Sequence, residues 1–208
     1  MELIILDDSQ ETNVDIMPKN DPRIKYIHSS ERLFLGKKRN MLNSMVKGDI
    51  IVCMDDDDYY SNERVAHAVY KLMSVPSVKI AGSSILHIYY PHIQKIYKFG
   101  PYGPNHGTNG TMAYKKSYLE DHNYIEDKMK AEEGHFTKDF SEQMIQLDPL
   151  KTMLCLAHDC NTVEKTAYIP SGELTICKLH KFFKTNDKTM INRINELSNR
   201  LKNTEKKI

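Results

Sequence analysis

The 208-residue chain carries 29 Lys and Arg against 28 Asp and Glu, a formal charge of +1, with 40% hydrophobic and 27% charged residues. That near-neutral balance excludes a whole-chain electrostatic case for nucleic acid or an anionic membrane, and the apolar content excludes global disorder. The length suits one globular domain, with acids gathered at 55–58 and 126–133 and a Lys-rich end.

In chain order, Leu3-Ile4-Ile5-Leu6 is a short apolar run that stops at Asp7-Asp8-Ser9 and predicts a buried strand with acids at its carboxyl end. RIKYIH, 23–28, predicts a second short strand. GKKRNMLNSMV, 36–46, places Met41, Leu42, Met45 and Val46 at helical spacing before Gly48. DIIVCM, 49–54, is the strongest strand signal, and four aspartates follow it. NERVAHAVYKLM, 62–73, is again helix-periodic, with Pro76 beyond it.

The second half reads as a strand over 78–86, a hairpin over 88–99 turning at 91–94, and a Gly/Pro/Asn loop over 99–110. A short strand at 111–114 precedes a helix near 116–121. Residues 131–140 (AEEGHFTKDF) predict a helix despite Gly134, and 144–147 and 153–157 are short apolar runs. Met190, Ile191, Ile194, Leu197 and Leu201 share one face of a helix over 187–202. There is no internal repeat.

Alternating strands and helices in the first half predict an α/β fold with parallel strands. Such sheets bind ligands at the carboxyl ends of their strands, where Asp7-Asp8 and Asp55–Asp58 both fall. Adjacent carboxylates raise one another's pKa. A divalent cation removes the conflict, and Mg²⁺ takes one or two carboxylates and completes its shell with water and phosphate oxygens. Side chains alternate along an extended chain, so Asp55 and Asp57 would face one site and Asp56 and Asp58 another. The plainer alternative is a solvated turn capping the following helix.

LIILDDSQ followed by GKKRNMLNSMVKGDIIVCMDDDDYYSNERV resembles the GT-A fold glycosyltransferases of the family 2 type. The match covers a DDGS-like strand end, a G-x-x-x-A/R-N helix, a G-D strand and a D-x-D-D motif, over roughly the first 75 residues. AEEGHF is similar to the family's E-D motif, and MIQLDPLKTMLCLAHDCNT resembles glycosyltransferases encoded by large DNA viruses. The fold implied is a GT-A-like, Rossmann-like, mostly parallel sheet flanked by helices, lacking the family's usual first strand. The expected organisation is a glycosyltransferase domain over 1–184 and an amphipathic helix with a Lys-rich tail over 185–208.

By that resemblance Asp8 or Asp7 would bind the nucleotide base, and Arg39 with Lys38 would contact the nucleotide. Asp55 and Asp57 would form the D-x-D pair, with Asp57 closest to a Mn²⁺ or Mg²⁺ ion, and Asp55 and Asp56 count among the donor-binding residues. Glu133 matches the catalytic base, with Glu132 its rival. The base position holds Glu where the family usually has Asp. The donor would be a nucleotide-sugar and the acceptor a glycan, protein or small molecule, with inversion by direct displacement. A domain that binds nucleotide or glycan without turnover is the non-enzyme alternative. A nucleotidyltransferase would need a basic Gly-rich phosphate loop near the N-terminus, which the chain lacks; a hydrolase would use the same acids with water as acceptor.

Several residues outside the motifs carry weaker expectations. His158 follows an apolar run and is a candidate metal ligand, neutral imidazole being suited to Mn²⁺; a structural histidine is the alternative. HDCN does not have zinc-site spacing. GTNGT, 107–111, lacks the GK[ST] ending of a phosphate loop and by resemblance lines the acceptor side. Tyr89, Tyr90, Tyr97 and Tyr102 are candidates for sugar stacking or for packing. Cys53, Cys155, Cys160 and Cys177 form no CxxC pair and predict reduced thiols. No apolar stretch reaches the ~18 residues of a membrane helix, and the N-terminus lacks a basic n-region. A soluble cytoplasmic protein, in a host cytoplasm if viral, is expected.

Overall fold

A computed structural model describes residues 1–18, 20–158, 161, 164–175 and 192. Cys160, Cys177, the 187–202 helix and the Lys-rich tail lie outside the described residues. The chain divides into two compact units: unit 1 is Met1–Ile51 with Tyr114–Glu142, and unit 2 is Val52–Ala113 with the chain from Gln143 onward.

In unit 1, β1 (Leu3–Asp7) and β2 (Ile24–His28) run parallel with Leu3 beside Ile24 and Asp7 beside His28. The α1 helix (Leu35–Met45) lies against β1. Its glycine is required by packing: a Cβ on Gly36 would overlap the Ile125 carbonyl oxygen. Asn40 then clamps the same segment, donating from Nδ2 to Tyr124 O and accepting from Tyr124 N–H, both at 2.9 Å. Tyr114 donates to Asn43 Oδ1 one turn further on.

The core of unit 1 is aromatic. Phe136 is fully buried and stacks on Tyr124 at 4.1 Å, with Tyr114 and Tyr118 around it. Phe136 ends α3 (Glu133–Phe136), so this cluster anchors the short helix that carries the AEEGHF motif. The predicted helix over 131–140 is therefore cut to one turn. Thr137 closes the turn, its N–H at 2.9 Å and its Oγ1 at 2.7 Å both donating to Glu133 O. Lys138, Asp139 and Phe140 then all adopt left-handed φ of 50° to 57°, and Asp139 N–H closes onto Gly134 O.

Unit 2 is built on a five-stranded sheet of β4 (Tyr59–Tyr60), β6 (Leu86–Tyr90), β7 (Lys95–Phe99), β10 (Met153–Leu156) and β11 (Glu173–Leu174), in the order β11-β7-β6-β10-β4. Only β6 and β10 are parallel; the hairpin β6–β7 and the β4 and β11 edges are antiparallel. Ile88, Tyr90, Phe99, Met153, Cys155 and Ala157 pack its core. A second parallel pair joins β5 (Ile80–Gly82) to β9 (Met144–Gln146), with α2 (Arg64–Ser74) against β5.

The expected strand over 78–86 is split because Ser83 N–H goes to Thr111 Oγ1 and Ser84 N–H to Gln146 Oε1 instead of a ladder. The expected strand over 111–114 starts later, as β8 (Ala113–Lys115), after a 3₁₀ turn at Asn109–Thr111. The short strand β3 (Ile50–Val52) leads into the acidic run. No helix among the described residues is long and apolar enough to cross a membrane.

Candidate active site

The four aspartates of unit 2 have four different environments. Asp55 donates its backbone N–H to the Tyr60 hydroxyl at 2.7 Å. Its carboxylate lies against Gly110, where a Cβ would stand 2.6 Å from Asp55 Oδ2 and 2.9 Å from Tyr60 Oη. Glycine at 110 is what lets the GTNGT loop approach this carboxylate. Asp56 is exposed. Asp57 and Asp58 turn toward the chain that follows β10.

Asp57 Oδ2 lies 3.1 Å from His158 Nε2 and accepts from Asn161 Nδ2 at 2.9 Å. The Asp57 side chain is 38% exposed and that of His158 15%, so solvent and ligand reach the carboxylate while the ring is held. Burial opposes ionisation of Asp57. The charge of Lys165 and the bond from Asn161 favour the carboxylate form.

Asp58 is the inward member, with its side chain 5% exposed. It accepts from Leu156 N–H at 2.9 Å and faces Lys165 Nζ at 3.8 Å, while Lys165 donates to Leu156 O at 3.1 Å. Burial, with Asp57 adding to it, pushes Asp58 up to about 6 although Lys165 pulls the other way. The Cys155 thiol beside this pair is raised well above its usual value by burial. Asp58 therefore ties the end of β10, and through it the His158 segment, to the acidic turn.

Arg64 ties a different pair of segments. It is 1% exposed, and its Nη2 donates to Met112 O at 2.7 Å, Cys53 O at 3.2 Å and Gly110 O at 3.4 Å. Its Nε and Nη1 are buried with no hydrogen-bond partner among the described residues. Three carbonyls thus take this guanidinium, and they belong to the end of β3 and to the glycine loop. Burial lowers its pKa.

Unit 1 holds the remaining expected residues. Asp7 is used by its own loop: it accepts from Ser9 and Asn13 backbone N–H, from Asn13 Nδ2, and from the Tyr26 hydroxyl. The hydrogen bonds of Ser9, then of Tyr26, hold its carboxyl far below the usual range. Asp8 accepts from Leu33 N–H at 2.9 Å and pairs with Lys38 Nζ at 3.0 Å.

Arg39 Nε donates to Glu132 Oε1 at 2.7 Å, with both side chains largely buried, and the guanidinium lies 6.0 Å from the Tyr124 ring centroid. The two residues expected to contact nucleotide and to rival the base are thus partners. Glu133 is half-buried at the first position of α3.

Sequence reasoning did not single out Asn161, Lys165, Arg64 or Tyr60. Asn161 and Lys165 stand in a polar stretch with no periodicity, and their signal is only their nearness to His158. Arg64 reads as an ordinary charge in an amphipathic helix.

Among the described residues no group of three or more His, Cys, Asp or Glu forms a ready metal centre. Asp57 and His158 nonetheless supply a carboxylate oxygen and an imidazole nitrogen 3.1 Å apart. A carboxylate oxygen and an imidazole nitrogen so placed are a donor pair for a divalent cation, whose other positions would go to water and ligand oxygens.

Residues 1–123 match the family model described as glycosyl transferase family 2. The solved structure of S. aureus TarS, residues 1–349 in complex with UDP-GlcNAc, is similar at 18% identity and a TM-score of 0.55, covering 77% of this chain and 50% of that one. This chain therefore spans about half the length of the TarS chain, and the likeness gives it a GT-A-like fold. A197 from STIV matches at 15% identity and a TM-score of 0.40, covering 78% of this chain and 98% of that one. A search of curated proteins found no match.

Proposed function

The chain belongs to glycosyl transferase family 2, and on that premise we propose that it moves a sugar from a nucleotide-sugar to a hydroxyl acceptor by one inverting displacement, with a divalent metal. The observation that carries this reading is the approach of Asp57 Oδ2 to His158 Nε2 at the end of the acidic run. A solvated capping turn would leave these aspartates facing water. Instead Asp57 and Asp58 are engaged by the end of β10 and the segment after it, with Asp57 partly open.

Asp57 and His158 would hold the metal, with Asp55 on the donor side. The ion, when bound, supplies positive charge to the departing nucleoside diphosphate. Within unit 1, Asp8 with its Lys38 partner is assigned to the nucleotide base, and Glu133 to the base role. The acceptor oxygen bonds to the anomeric carbon, the bond from that carbon to the diphosphate oxygen breaks, and the acceptor proton passes to Glu133. Glu132 is assigned to fixing Arg39, since its carboxylate is buried against it.

Thermal shift with Mn²⁺ across UDP-, GDP-, dTDP- and CDP-sugars, repeated with Asp57→Ala, tests the reading. UDP-sugars come first because the TarS structure holds UDP-GlcNAc. A metal-dependent shift with one nucleotide class, lost in the variant, is expected. A folded protein that responds to neither metal nor any donor would overturn it.

A further inference from the structure

We propose that Asn161 is a positioning residue that fixes His158 in the tautomer protonated on Nδ1, so that the Nε2 lone pair faces Asp57. Its purpose rests on the metal reading above; its geometry does not. The Asn161 amide has only one orientation consistent with its surroundings. Oδ1 lies 2.8 Å from the His158 backbone N–H and must accept from it. Nδ2 therefore points at Asp57 Oδ2, 2.9 Å away, and at His158 Nε2, 2.8 Å away.

An amide nitrogen has two hydrogens and no acceptor capacity. Both hydrogens are used here, one on the carboxylate and one on the ring, and Nε2 must accept. A proton on Nε2, in the neutral or the charged ring, would meet the Asn161 N–H head-on at 2.8 Å. Burial of Nδ1 does not choose between tautomers, since that atom is without a hydrogen-bond partner among the described residues whether it carries a proton or not. Asn161 makes the choice.

The consequence is two lone-pair-bearing atoms, Asp57 Oδ2 and His158 Nε2, held 3.1 Å apart. Two acceptors at that distance repel, and a cation bound to both reverses the sign of the interaction. The remaining alternative for this ring, an Nε2–H donating to Asp57, would satisfy the carboxylate internally and take the nitrogen away from a metal. Asn161 blocks that internal bond. Groups orienting metal ligands commonly change affinity by about 10- to 100-fold.

The test is a long-range proton–nitrogen correlation spectrum, recorded at alkaline pH, of metal-free protein labelled at histidine nitrogen. His158→Gln assigns the signals. Expected is a protonated Nδ1 and bare Nε2 in the wild type, a proton moved to Nε2 in Asn161→Ala, and a rise of about 10- to 100-fold in the Mn²⁺ dissociation constant of that variant. A protonated Nε2 in the wild type overturns the proposal without any variant, as does an Asn161→Ala spectrum with the tautomer unchanged. The expected tautomers with no Mn²⁺ binding in the wild type support the positioning role and remove the metal reading instead.

Discussion

Arg39 and Glu132 form a buried ion pair, Nε to Oε1 at 2.7 Å, that joins the GKKRN helix to the residue immediately before Glu133. The pairing separates two neighbouring acids that look interchangeable in AEEGHF. Glu132 is 4% exposed and bound to Arg39; Glu133 is half-buried on the next residue.

Glu133→Gln is accordingly expected to lower kcat by about 100-fold or more, in the range of a lost general base, with donor binding and melting temperature nearly unchanged. Glu132→Gln is expected to destabilise the fold by about 3 kcal/mol, because it breaks a buried ion pair by removing one charged member. Denaturant melts and steady-state kinetics on both variants separate the roles. Equal loss of kcat with no stability change in Glu132→Gln would exchange them.

Gly110→Ala sets a methyl against Asp55, Met153 and Tyr60, the nearest atom being Asp55 Oδ2 at 2.6 Å. The loop or the acidic turn must then move. Mn²⁺-dependent donor binding, followed by calorimetry, is expected to weaken by about tenfold or more, as for a disturbed ligand shell. Unchanged binding would mean that Asp55 takes no part in the donor site.

Arg64→Met separates stability from site geometry. Removing the guanidinium also removes two buried nitrogens without a hydrogen-bond partner among the described residues, a cost of about 1–3 kcal/mol each. The carbonyls of Cys53, Gly110 and Met112 lose their shared donor. The two effects oppose, so the melting temperature is expected to change little while donor affinity falls. A loss of stability above about 4 kcal/mol would make the clamp a fold element first.

A pH dependence follows from Asp58. Its folded pKa of about 6 lies above the unfolded value, so the native state holds a proton that the unfolded state has released. Stability from this residue is present below the unfolded carboxylate pKa and is lost as pH rises through about 6. Asp58→Asn stays neutral throughout, and its stability relative to wild type is expected to rise between pH 4 and pH 6 and level off above. A flat difference across melts in that window would mean Lys165 fully neutralises the cost.

The strands and helices that carry the motifs were legible in the chain because local patterning suffices there. Leu3-Ile4-Ile5-Leu6 and Ile50–Val52 are apolar runs ended by acids, and α1 and α2 have helical spacing, so β1, β3, α1 and α2 appear where expected. The D-x-D run and the candidacy of His158 came from residue type and order alone. The helix over 131–140 is cut short because Lys138, Asp139 and Phe140 turn left-handed, a backbone change that periodicity does not register. The two-residue strand β4 is too short to show a period, and its pairing with β10 is a non-local bond.

Sequence by itself determined the family, the GT-A-like order of motifs, and which residue types gather at the strand ends, because these depend on local pattern and on identity. Only the tertiary structure decided which neighbours Asp57, Asp58 and Glu132 take. Asp57 accepts from Asn161 and faces His158, both about a hundred positions away, Asp58 is bound by Leu156 and Lys165, and Glu132 by Arg39, 93 positions away. A carboxylate's charge, exposure and reach are set by neighbours brought from distant parts of the chain, and adjacent acids with the same chemistry acquire different roles only once the fold supplies those neighbours.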